Sequence, residues 1–98
     1  MSRADIIAKI RQNAEAIRAL GAGSLYLYGS HARDEAQTGS DVDVFVERDP
    51  SKRFGFIELT ELEFLLRDIL SADVDLATRT ALHPLIRGNI EKDAVKVL

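Results

Sequence analysis

Residues 24–47 read SLYLYGSHARDEAQTGSDVDVFVE, and the order of residue types in this stretch carries the fold. Ser24 to Tyr28 is a short run of β-formers closed by Gly29, which reads as a strand. Ser30 to Arg33 opens a short helix directly behind it. Glu35 to Ser40, with Thr38 and Gly39, reads as loop. Asp41 to Glu47 then alternates. Val42, Val44 and Val46 share one face, and Asp41, Asp43, Phe45 and Glu47 the other, which is the period of a strand. Upstream, Ile6, Ile7, Ile10, Ala14, Ile17 and Leu20 recur at helical spacing and predict one amphipathic helix over residues 4–20. Ser2 with Asp5 three residues on resembles a capping box, and Gly21 and Gly23 stop the helix. Downstream, Asp49, Pro50 and Ser51 make a turn. Leu59, Leu62, Leu65, Leu66, Ile69 and Leu70 mark a second long helix whose leucine stripe is core. Asp73 to Ala77 predicts a third strand, and Val95 to Leu98 a fourth. Between them Pro84 suits the first turn of a helix, with His83 as its start residue. Gly88 inside that helix costs about 1 kcal/mol relative to Ala. The order α-β-α-β-α-β-α-β predicts an α/β fold: a sheet with helices packed against it, as one domain over residues 1–98.

Ninety-eight residues leave room for one modest core. Thirteen basic side chains against sixteen acidic ones give a net charge of −3. A protein that grips duplex nucleic acid by its phosphates is normally basic, so that class is disfavoured. There is no cysteine, hence no disulfide framework, thiolate metal site or thiol nucleophile. Arg3, Asp5, Lys9, Arg11, Glu15 and Arg18 are incompatible with a secretory apolar segment at the start. No apolar run approaches the ~18 residues needed to cross a bilayer. The expectation is a small cytoplasmic protein.

Asp41 and Asp43 lie two apart on a strand, so both project from one face, ~6.5–7 Å apart along the chain. Like charges this close raise each other's pKa unless a cation offsets them. Mg²⁺ favours such oxygen ligands and fills its other positions with water and substrate phosphates. A lone Asp-x-Asp is more often a solvated edge strand. An EF-hand is excluded, because counting Asp41 as loop position one puts Val46 where Gly is required. Gly29-Ser30 adds a second half. A strand, a glycine and a helix start offer backbone N–H groups and a hydroxyl to an anion, and the glycine lets the backbone approach a phosphate. Alone, that turn is ordinary. Gly29-Ser30 followed ten residues later by Asp41-x-Asp43, with Ser40 before the first carboxylate, arises by chance only about once in ten thousand such chains.

Gly29-Ser30-His31-Ala32-Arg33 followed by Ser40-Asp41-Val42-Asp43 resembles the signature of the nucleotidyltransferase superfamily with the polymerase-beta-like fold. The likeness is strongest to its minimal members, the MNT-type antitoxins paired with HEPN toxins. Val74-Asp75-Leu76-Ala77-Thr78 matches that family's third acidic strand. The helix segment Glu61 to Leu66 and the ending Ile90 to Val95 are also similar, so the likeness runs from Ser24 to Leu98. The family often has Gly directly after the Arg of the first motif. Here it is Asp34, which can replace Gly where a left-handed backbone is all that is needed. The resemblance implies a small mixed sheet with helices mainly on one face and the acids on the other. It implies that Asp41, Asp43 and Asp75 hold Mg²⁺, as two ions, on ATP, with Asp75 helping to deprotonate the acceptor hydroxyl. Gly29 and Ser30 would cradle the phosphates, with Arg33 and Ser40 as further contacts.

The other candidates read as structure. His31 reads as a free surface histidine beside the phosphate turn, and Tyr26 and Tyr28 as packing residues. Arg48, Lys52 and Arg53 form a solvated turn. The expected activity is transfer of AMP from ATP to a hydroxyl, that of a tyrosine, on a partner HEPN ribonuclease toxin, in a hetero-oligomer without membrane or duplex nucleic acid. The alternative is a non-catalytic module that neutralises the toxin by contact alone. An antibiotic-modifying enzyme would need extra mass to hold the drug.

Overall fold

Ser2 opens the first helix, α1 (Arg3–Gln12), by the reciprocal cap its sequence predicts. Its Oγ accepts the Asp5 N–H at 3.2 Å, and Asp5 Oδ2 accepts the Ser2 N–H at 3.0 Å. The chain is described here from a computed structural model over residues 1–37, 39–82 and 84–98. Thr38 in the expected loop and His83 at the expected helix start lie outside the described residues. The single helix predicted over residues 4–20 is two helices, α1 and α2 (Ala14–Ala19), broken at Asn13. Asn13 Nδ2 donates to the Lys9 carbonyl at 2.8 Å, while its backbone N–H turns to Ile10 O at 3.0 Å. A side chain thus takes the carbonyl that the next helical turn would use. Ile6, Ile10 and Ile17 are all buried across the break, so the apolar period gives no sign of it.

Among the described residues four strands follow: β1 (Ala22–Tyr28), β2 (Val42–Arg48), β3 (Val74–Thr78) and β4 (Val95–Lys96), in the sheet order β3-β2-β1-β4. β1 is antiparallel to both β2 and β4, and β2 is parallel to β3, so the sheet is mixed as expected. The β4 ladder covers Val95 and Lys96, and the Val97 N–H continues it to Leu25 O at 2.8 Å. The parallel pair needs a crossover. α4 (Phe56–Leu70) provides it, started by the Gly55 N–H on Glu58 Oε1 at 2.6 Å. A single-turn helix, α3 (Gly29–Ala32), follows β1, and α5 (Pro84–Asp93) precedes β4 with proline at its first position. Among the described residues no helix is long and apolar enough to cross a membrane.

The core lies on one side of the sheet. Val42, Val44 and Val46 with Leu25 and Leu27 pack against Ile6, Ile10 and Ile17 and against Leu62, Leu66 and Leu70, which repeat every four residues along α4. The strands therefore turn Tyr26, Tyr28, Asp43, Phe45 and Asp75 to the opposite face. Phe45 is nonetheless buried: Tyr26 stacks on it with ring centroids 4.7 Å apart, and the Arg79 guanidinium lies 5.8 Å from its centroid. Glu47 and Glu91 both pair with that guanidinium, over the half of this face away from Asp43.

Candidate functional site

Gly29 follows β1 at φ +73°, a backbone conformation that glycine adopts freely and side-chain residues rarely do. A methyl built there would stand 2.5 Å from Asp43 Oδ2. Two requirements thus meet at one residue, a left-handed backbone and the close approach of a carboxylate from the neighbouring strand. Gly29→Ala is expected to cost about 1–3 kcal/mol from backbone strain alone. It should also push the Asp43 carboxylate aside. A thermal melt with and without Mg-ATP checks both: a lower Tm, and no gain on adding nucleotide. An unchanged response to nucleotide would mean that Gly29 and Asp43 do not share a site.

The acids meet through strand register. Tyr28 pairs with Asp43 across β1 and β2, and Asp43 pairs with Asp75 across β2 and β3. Directly paired residues share a face, and adjacent strands lie about 4.8 Å apart, so the three form one row across the sheet. Asp41 stands just before β2, exposed, one pleat ahead of half-buried Asp43. Burial pushes the Asp43 carboxyl above the usual carboxylate range, and the charges of Asp75 and Asp41 push it further, with His31 opposing them. The Tyr28 hydroxyl is pushed up to about 12, by burial first and then by Asp43 and Asp75.

This donor set suits a hard divalent cation, which would relieve the repulsion that raises Asp43. Among the described residues no three acidic or histidine side chains close on a common point. A Mg²⁺ ion here would complete its shell from water and substrate oxygens, its habit where it binds phosphates.

The remaining candidates sit around this row. Ser30 is the second residue of α3, and its carbonyl accepts the Glu35 N–H at 2.8 Å. Ser40 closes a turn with Gln37: its Oγ accepts the Gln37 N–H at 3.2 Å, and its own N–H donates to Gln37 O at 3.0 Å. Arg33 is engaged by carboxylates, with Glu35 at 3.2 Å and Asp93 of α5 at 3.6 Å. Gly29, Asp43 and Asp75 are thus brought together with Asp41 beside them, while Arg33 pairs with acids outside the row.

One expectation needs correction. His31 is not a free surface histidine but 8% exposed, with Nε2 3.1 Å from the Ser40 carbonyl. It ties the turn at Gly29-Ser30 to the backbone that leads into Asp41. Tyr28 packs on Phe45 as expected, with ring centroids 5.7 Å apart, and in addition flanks the acids. The signal available in sequence was its place directly before Gly29. Tyr26 does pack as expected. Asp34 takes the left-handed backbone at φ +59°, as expected of a residue standing where glycine is common. Its Oδ1 accepts the Arg3 N–H at 3.1 Å, so this carboxylate is spent on the start of α1.

Comparison with known proteins shows the family and the fold. Residues 7–97 match the family described as nucleotidyltransferase domain. Two proteins of Methanocaldococcus jannaschii, each described as a candidate protein adenylyltransferase, are similar in sequence. One is 36% identical over 72 residues, covering 74% of this chain and 75% of that protein. The other is 40% identical over 75 residues, covering 76% and 75%. Among solved structures, a candidate minimal nucleotidyltransferase superposes with a TM-score of 0.81 at 24% identity, over 97% of this chain and 95% of that one. A toxin–antitoxin structure with AMP-PNP gives 0.68 at 21% identity, over 100% and 73%. The complex of an MNT antitoxin with the tri-AMPylated HEPN toxin of Shewanella oneidensis gives 0.65 at 18% identity, over 93% and 70%. These structural likenesses show the shared fold.

Proposed function

The chain belongs to the nucleotidyltransferase domain family, and from that premise we propose that it moves AMP from ATP to a tyrosine hydroxyl of a HEPN toxin, neutralising it as an antitoxin. The observation that carries this reading is the register pair Asp43–Asp75 with Gly29 held against Asp43. Relatives described as protein adenylyltransferases support the acceptor class, and a neighbour bound to a tri-AMPylated HEPN toxin supports the partner.

Asp41, Asp43 and Asp75 would hold two Mg²⁺ ions, whose chemistry is to neutralise charge on the attacking and leaving oxygens. The Gly29 and Ser30 backbone and the Ser30 hydroxyl would hold the β- and γ-phosphates, with the Ser40 hydroxyl within the same turn region. The acceptor oxygen attacks the α-phosphorus, and the bond from that phosphorus to the bridging oxygen breaks. Pyrophosphate leaves, and the acceptor's proton passes to a carboxylate oxygen of Asp75. Arg33 would join by exchanging Glu35 and Asp93 for phosphate oxygens. AMP on the toxin adds negative charge and bulk where RNA phosphates must bind. A nucleoside triphosphate donor and an RNA-cutting partner would both belong to the cytoplasm, which is the setting this reading implies.

One observation favours the contact-only reading. Arg33, four residues after Gly29, is already paired with two carboxylates. The deciding experiment mixes the protein with labelled ATP, Mg²⁺ and its HEPN partner. Label on the partner, lost on hydrolysis of a tyrosyl phosphodiester, is expected. A partner that is inhibited yet carries no label would leave contact alone as the mechanism.

A further inference from the structure

Asp41 is placed differently from the other two acids. Asp43 and Asp75 sit inside strands and face each other in register. Asp41 stands one residue before β2, and among the described residues nothing donates a hydrogen bond to its carboxylate. The direction of its Cα–Cβ bond is therefore set by the two planar peptides that flank it, with only its own φ and ψ between them.

Both peptides are pinned. In the one after Asp41, the Val42 N–H donates to the Asp73 carbonyl at 2.9 Å, at the start of the pairing with β3. In the one before it, the Ser40 carbonyl lies 3.1 Å from His31 Nε2. A carbonyl oxygen only accepts, so this ring nitrogen carries the proton. His31 is itself held firmly: it is 8% exposed and sits on α3, one residue after Ser30. That single turn is tied in addition to α1, where Arg3 Nη1 donates to the Ala32 carbonyl at 3.0 Å.

We propose that His31 is the positioning residue of Asp41: by holding the Ser40 carbonyl it fixes the peptide that aims the Asp41 carboxylate at a divalent cation on the acidic row. This rests on the transfer reading for the role of Asp41 and deepens it by naming what orients that ligand. Without the bond the Ser40–Asp41 peptide is free to turn, and an exposed carboxylate on a loose backbone must lose that freedom each time it takes a metal. The same bond ties the Gly29-Ser30 turn to the metal side of the site. The two halves of the motif thus keep their spacing across the ten residues between Ser30 and Asp41.

The test uses the full chain with Mg²⁺ and AMP-PNP, read by titration calorimetry, so that binding is measured apart from transfer. His31→Leu fills the buried space without a donor, and His31→Gln returns an N–H at about the reach of Nε2. His31→Leu should raise the Mg²⁺ concentration that half-saturates nucleotide binding by about ten- to a hundredfold, as loss of a ligand's supporting bond does, and His31→Gln should restore most of it. A second readout needs neither metal nor nucleotide. The Asp41 N–H belongs to the peptide that His31 holds, so its NMR order parameter should fall from about 0.85 toward 0.6 in His31→Leu and recover in His31→Gln. Melting curves establish that the variants fold; where Leu does not, His31→Asn, whose amide is too short to reach that carbonyl, replaces it. An unchanged Mg²⁺ dependence, an unchanged Asp41 order parameter, or a loss that Gln does not restore would each overturn the proposal. A wild type that binds Mg-AMP-PNP but labels no partner removes the transfer reading alone, and the binding data still decide the role of His31. A wild type that binds no Mg-nucleotide overturns both.

Discussion

Asp43→Asn is expected to abolish AMP transfer while making the unliganded protein melt at a higher temperature. The two effects share one cause. Asn keeps the shape of Asp but not its charge, so on the proposed reading the metal loses a charged ligand from the centre of the row Tyr28, Asp43, Asp75. Charge stabilisation by a metal is worth several kcal/mol in a transition state, so the loss should be about a thousandfold or more in rate. Stability moves the other way because burial, Asp75 and Asp41 raise the Asp43 carboxyl above its ordinary range. A carboxyl raised on folding contributes stability below its unfolded value of about 3.9, and loses it as pH rises through the folded value. At pH 7 the ionised group is therefore a cost, which Asn removes. The gain in Tm should be present at pH 7 without Mg²⁺ and shrink toward pH 4. Steady-state transfer and melts at the two pH values check it. A variant that labels its partner at the wild-type rate would place the chemistry elsewhere. In cells carrying the toxin, Asp43→Asn should bind the toxin without protecting the host; full protection would mean neutralisation by contact.

The second large effect is stabilisation by ligand. On the proposed reading Mg-ATP binds the folded site alone, and at a hundred times its dissociation constant it adds about 2.7 kcal/mol by mass action. In a chain of this size 1 kcal/mol moves the melting point by about 4–8 °C, so a rise on the order of 10–20 °C is expected. Relief of the repulsion among Asp41, Asp43 and Asp75 acts in the same direction, so Mg²⁺ alone should give a smaller rise. Differential scanning calorimetry with Mg²⁺, with ATP and with both separates the contributions. No shift with millimolar Mg-ATP would argue for a contact module.

Much of this was visible in the order of residues, because it depends on neighbours along the chain. Side-chain alternation placed Val42, Val44 and Val46 opposite Asp41 and Asp43. The Ser2–Asp5 cap and the left-handed Asp34 follow from local backbone chemistry and were anticipated. The acidic pair beside a glycine turn was evident from spacing, and Asp75 from resemblance to a family. The break at Asn13 was not visible, since a side-chain bond to Lys9 O leaves the apolar period intact.

Other features exist only between distant segments. Register brought Tyr28, Asp43 and Asp75 into one row. His31 is buried because Ser40 comes back to it, and Arg33 meets Asp93 because α5 lies beside α3. No periodicity encodes these pairings. Each balances the entropy of closing a loop against burial and hydrogen bonds formed at its end, a sum taken over the whole chain at once. Local pattern therefore sufficed for the elements and the acids on them, and the packed fold was needed for which acids, which aromatic ring and which histidine stand together.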